Sequence, residues 1–242
     1  MDSGFFLFIN FRILVASVWF CQVKTGIFIN FGENRHQILF IQKTIITMSK
    51  IINNLPDEIA NQEVLATHNY NDWNCDCLID HIIQTHHQYV NQTIPEILPL
   101  VQKVVEVHGT KHTELAIIQS LFQQISNEML LHMKKEELVL FPYIKKLILA
   151  EANRTGVDEP SFGSVRIPIS VVETEHETAG IIQKRLSQLS NNYTPPEDAC
   201  NTFRVLYDKL KEFEYDLNRH VHLENDILHP KAIALEHELM VI

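Results

Sequence analysis

From Asp72 onward apolar residues recur every three or four positions, the spacing of one helix face, and rarely alternate with polar ones as a half-buried strand would. A first helix is predicted from Asp72 to His108, with Ile79, Ile83, Val90, Ile94 and Ile97 inward, a kink at Pro95 or Pro99, and Gly109 at its end. The second runs from His112 to Ala150, carrying Leu121, Ile125, Met129, Val139 and Tyr143, with Pro142 bending its far end. Asn153, Gly156, Pro160 and Gly163 mark residues 151 to 167 as a loop. A third helix spans Pro168 to Ser190. The fourth is predicted to start at Thr194-Pro195-Pro196-Glu197, where Thr caps, Pro fills the first turn and Glu closes a capping box. Its stripe is Phe203, Leu206, Leu210, Phe213, Leu217 and Ile227. Four amphipathic helices with short turns specify an all-α, antiparallel up-down-up-down four-helix bundle.

Each stripe is broken by a histidine. His87 follows Ile83, His132 follows Met129, His176 follows Val172 and His220 follows Leu217, all at helical steps. Glu136 and Glu224 lie four residues after His132 and His220, on the same face. The intervals between the histidines are 45, 44 and 44 residues. In an up-and-down bundle such even intervals bring all four to one layer near mid-height. An internal repeat sets His132, Glu136, Leu140 and Pro142 against His220, Glu224, Leu228 and Pro230, so the halves are expected to be two-fold related. Burying carboxylates and imidazoles together costs several kcal/mol unless they are compensated, roughly as for any unpaired buried charge. A two-metal centre supplies the compensation. Imidazole with carboxylate suits iron, manganese or zinc, whereas calcium and magnesium sites are built from oxygen. The predicted metal ligands are therefore His87, His132, Glu136, His176, His220 and Glu224.

The other polar residues in these helices have plainer expectations. His86 lies off the stripe, beside the site or at the surface, and His81, His108, His112, His222, His229 and His237 are expected in solvent. Glu137, Glu173, Glu175 and Glu177 should point outward or support ligands, with Glu175 and Glu177 flanking His176. Gly180 is expected to ease helix packing, or to open a path for a diatomic ligand. Cys75 and Cys77 are expected as reduced thiols, since four cysteines at 21, 75, 77 and 200 form neither a disulfide framework nor a zinc motif.

Charge and composition narrow the partners. The chain has 242 residues and a formal charge of −10, with a pI near 5.7 and no basic run, which leaves no electrostatic footprint for nucleic acid or an anionic membrane. Residues 1 to 47 stand apart: they hold 8 of the 13 Phe, four bases and only two acids, so residues 48 to 242 carry −12. The stretch from Phe5 to Val23 is apolar, yet Asp2, Arg12 and the lack of a small-residue cleavage site fit poorly with a signal peptide or anchor. Three readings stand open: a start called too far upstream, with Met48-Ser49-Lys50 the beginning; an export or anchor segment; or an ordered extra element. The expected divisions are 1–47 as a doubtful extension, 48–70 as a leader and 71–242 as the bundle.

The segments LIDHIIQTHH, HMKKEELVLFP, PISVVETEHETAG, TPPEDACNTF and HVHLENDILHP resemble the RIC (repair of iron centres) family of di-iron proteins, over residues 71 to 232. The resemblance implies a hemerythrin-like bundle holding two iron ions in a carboxylate- and oxo- or hydroxo-bridged non-haem centre, through the same six residues. It implies a cytoplasmic protein that helps restore iron-sulfur clusters damaged by nitrosative or oxidative stress, as an iron donor. Its partners would be damaged iron-sulfur proteins or a cluster scaffold, with O2, NO or peroxide as small ligands and a homodimer left open. Two alternatives use the same centre: a hemerythrin-like module that binds or senses O2 or NO, and a di-iron NO or peroxide reductase, so enzymatic activity is undecided. Hemerythrins usually hold five His, and the four-His, two-Glu set here favours the repair reading. Many RIC members carry an N-terminal domain with an adjacent Cys-Cys pair followed by glycines. Nothing before residue 70 matches it, and Cys75 and Cys77 are not adjacent, so thiol-assisted transfer or dimerisation through that domain is not implied.

Overall fold

The computed structural model describes residues 69–240. The expectations for residues 1–47 and nearly all of 48–70 lie outside the described residues. Tyr70–Asp72 form one 3-10 turn, and residues 74–240 belong to a separate compact unit.

Four long helices build that unit. Helix α1 comprises α-helical Cys75–His81, a π-helical stretch Ile82–His87 and α-helical Gln88–His108. Helix α2 comprises Glu114–Lys135, a π stretch Glu136–Leu140 and Phe141–Asn153. Helix α3 is α-helical throughout, Arg166–Leu189. Helix α4 comprises Asn201–His222, a π stretch Leu223–Leu228 and His229–Met240.

Contacts at the two ends fix the antiparallel order. At one end His108 of α1 packs on Phe203 near the start of α4, while Lys111 in the α1–α2 turn bonds Asp198 just before α4. At the other end Lys145 of α2 reaches Asp80 of α1, and Tyr143 of α2 donates to Glu236 of α4. The same Glu236 accepts from Ser164 and from the Val165 backbone N–H at the entry to α3. An up-down-up-down bundle follows.

The core is apolar above and below a polar layer. Val90, Ile97, Phe122, Ile125, Phe203 and Phe213 fill the half toward the α1–α2 turn, with Phe122 and Phe213 edge to face. Leu78, Ile82, Ile144, Leu147, Val165 and Leu228 fill the other half. At about 25 cal/mol per Å² of buried apolar surface these two halves supply the main stabilisation that offsets the cost of the layer between them.

Several expectations change in detail. Helix α1 stays helical through Pro95 and Pro99 and ends at Gly109, where a Cβ would lie 2.5 Å from the Val105 carbonyl oxygen. Helix α2 runs past Ala150 to Asn153 and is closed by Arg154 in the left-handed region. Val139 is exposed rather than inward, because the π stretch inserts extra turn length and returns Leu140, Phe141 and Ile144 to the core instead. The fourth helix begins at Asn201, capped by Cys200, and not at Thr194. Thr194 and Pro195 each precede a proline, which disfavours helical backbone at both. Asn191, Asn192 and Tyr193 also have positive φ, so the chain turns sharply there before it can start a helix.

Candidate metal centre

Three of the four helices break into π geometry at one level, and each π stretch carries donor residues. His87 closes the stretch in α1, Glu136 opens that in α2, and Glu224 is second in that of α4. A π turn advances the register by one residue, which lets a helix present donors on one face without disturbing the stripes above and below. Helix α3 carries its donor, His176, on regular α-helical backbone.

The six residues expected from the sequence lie together in this layer. All are buried, with Glu136, His220 and Glu224 fully so. His87, Glu136, His220 and Glu224 form one group of donors, and His132, Glu136, His176 and Glu224 form the other. Each imidazole belongs to one group and each carboxylate to both. His87 and His220 oppose their Nε2 atoms at 3.3 Å, and His132 and His176 at 2.9 Å. Glu136 Oε2 lies 3.3 Å from Nε2 of both His87 and His132. Glu224 turns Oε1 to His220 at 3.0 Å and Oε2 to His176 at 3.2 Å.

The surroundings orient the imidazoles. His87 Nδ1–H donates to Glu137 at 2.7 Å, His132 Nδ1–H to Glu175 at 2.9 Å and His176 Nδ1–H to Asn225 at 2.8 Å. Donation from Nδ1 leaves the Nε2 lone pair aimed into the centre, which is the tautomer a metal needs. Lys135 in turn pairs with Glu175. Aromatic stacking repeats with the two-fold: Phe141 lies over His87 and its counterpart His229 lies over His176.

Electrostatics mark the layer as incomplete with protein atoms alone. Both oxygens of Glu136 and of Glu224 are buried without a directed hydrogen bond. Burial and mutual repulsion push both carboxyls toward protonation, but the facing histidines outweigh this and hold Glu136 low and Glu224 well below the usual range. Burial pushes His132 down, yet Glu136 and Glu224 prevail and raise it to about 9. Four converging nitrogens and two shared carboxylates of this kind fit two nearby cations, which would satisfy the unbonded oxygens and hold the opposed nitrogens apart.

The other expectations divide. Glu175 accepts from His132 and Glu137 from His87, whereas Glu177 is exposed. Glu173 accepts from His229, which is fully buried and not in solvent. His81 is also buried, and His86 lies inside the bundle, parallel to His220 and donating to Asp216 at 2.9 Å. The apolar stripes do not point to Asn225, Phe141, His229 or Asp216, which also contact the layer. The repeat held the signal for the first three, because Asn225 follows Glu224 as Glu137 follows Glu136, and His229 matches Phe141 beside the paired prolines. Gly180 is exposed, and a Cβ there would meet nothing within 4 Å, so it does not serve close packing. Cys75 is a free thiol, and both Cys75 and Cys77 are buried.

Comparison with known proteins agrees with this geometry. The hemerythrin HHE cation binding domain matches residues 78–232. The iron-sulfur cluster repair proteins YtfE of Yersinia pseudotuberculosis serotype IB (strain PB1/+) and Yersinia pestis (strain Pestoides F) are each 38% identical over 159 residues. The match covers 66% of this chain and 66% of each relative, so it spans about two thirds of their length. No helix among the described residues is long and apolar enough to cross a membrane.

Proposed function

Since the chain belongs to the hemerythrin HHE cation-binding family, we propose that it holds two iron ions and gives up iron to repair iron-sulfur clusters damaged by nitrosative or oxidative stress. His87, His220, Glu136 and Glu224 would hold one ion, and His132, His176 and the same two glutamates the other. Iron supplies redox-variable affinity and open coordination positions for O2, NO or peroxide.

The single observation that carries this reading is the sharing of both carboxylates between the two imidazole pairs. A saturated structural site would close around one ion with its own four donors. Here two ions would share two carboxylates, each with only two nitrogens of its own. Such a set would hold iron in a buried place with few enough protein donors to let it leave. Acceptors would be damaged iron-sulfur proteins or a cluster scaffold, as the names of the relatives indicate for those proteins. The cytoplasm suits this role.

The test is anaerobic loading of the full chain with ferrous iron, followed by iron counting and Mössbauer spectroscopy. Two equivalents in a coupled environment are expected. One equivalent, or none, would refute the two-ion assignment.

A further inference from the structure

The supports of the four imidazoles obey the same two-fold symmetry as the ligands, with one exception. Glu137 and Asn225 each follow a shared glutamate and accept from His87 and His176. Glu175 precedes His176 and accepts from His132 across the bundle. Its counterpart is the residue that precedes His87 and faces His220, and that residue is His86. Instead of accepting, His86 lies parallel to His220 at a ring-centroid distance of 5.7 Å, with an interplanar angle of 7°, and sends its own Nδ1–H to Asp216. His220 Nδ1 is buried and has no hydrogen-bond partner.

The two positions therefore differ. His132 and His176 both have acceptors, one of them a carboxylate fixed by Lys135. His87 and His220 share a single acceptor between them, Glu137, whose side chain is 38% exposed. An acceptor on the outer imidazole nitrogen makes the inner one more basic and fixes the ring, and loss of such a partner weakens metal binding by about 10- to 100-fold.

We propose that the two metal positions are unequal, and that the ion held by His87 and His220 is the one released first, because His86 replaces the acceptor that His220 would need. The inference rests on the two-ion reading above and adds a direction to it. One position acts as the transferable store and the other as the retained anchor that keeps the shared glutamates in place.

The experiment uses the full chain loaded anaerobically with two equivalents of ferrous iron and then challenged with a ferrous chelator, with release followed by absorbance. Two phases of one equivalent each are expected, separated by about 10- to 100-fold in rate. His86→Gln supplies an amide oxygen toward His220 and an amide N–H toward Asp216, and is expected to slow the fast phase while leaving the slow one unchanged. Glu175→Ala removes the matching support from His132, and should accelerate the slow phase toward the fast one. Circular dichroism checks that each variant is folded, and Glu175→Ala alone decides the matter if His86→Gln does not fold. Release of two equivalents in a single phase overturns the inference while leaving the two-ion reading intact. So does a slow phase indifferent to Glu175→Ala. Failure to load two equivalents at the outset overturns the two-ion reading instead.

Discussion

Glu136 and Glu224 differ from the four histidines in belonging to both donor groups, whereas each imidazole belongs to one. Glu136→Ala or Glu224→Ala should therefore lose both ions, and His132→Ala should keep about one, as counted by iron analysis after desalting. A second residue-scale prediction concerns Cys200. His108 donates to its thiol at 3.2 Å, and with backbone N–H groups at the start of α4 lowers it from 9.0 to about 7. A lowered thiol pKa means thiolate at lower pH, so alkylation of Cys200 should rise with a midpoint near pH 7, moving up toward 9.0 in His108→Ala. Burial instead raises Cys75, which should react slowly throughout. The six donors were legible in the sequence because each breaks an apolar stripe at a position where a polar side chain needs a partner. His86 was not, and His229 was legible only through its match to Phe141 in the repeat, since a helical period places a residue on its own helix but does not say what the neighbouring helix offers. His86 lies off its own stripe and is buried only because α4 covers it.

At the scale of elements, the four stripes gave the number, order and approximate length of the helices, since amphipathic periodicity reports the face that must be buried. What it could not give is the π stretches, which shift the register at Val139, or the start of α4, where two prolines after a left-handed turn override a capping pattern. The loop before α3 was legible only as a loop. Its anchor is Glu236, buried on α4, which accepts from Tyr143, Ser164 and the Val165 N–H. Glu236→Ala would strand two buried donors, the Tyr143 hydroxyl and the Val165 N–H, at about 1–3 kcal/mol each, so a loss of about 2–6 kcal/mol is expected in urea unfolding. Hydrogen exchange at the Val165 amide should accelerate with it. Iron content should be unchanged, because this anchor lies at the end of the bundle away from the donor layer.

Across the whole molecule, apolar packing on both sides of one polar layer lets a fold of ordinary helices hold a costly cluster at its centre. The acidity counted at first against nucleic acid includes two carboxylates that the bundle keeps ionised by facing them with imidazoles. The proposed function depends on iron leaving this layer for a damaged cluster. The direct measurement loads the full chain with 57Fe, mixes it anaerobically with a nitric-oxide-damaged [4Fe–4S] protein, and follows the label by Mössbauer spectroscopy. Iron donation should place 57Fe in the restored cluster, matched by loss from the chain, with no transfer from a Glu136→Ala, Glu224→Ala double variant. Restoration of the cluster without 57Fe, or equal restoration by the double variant, would contradict it.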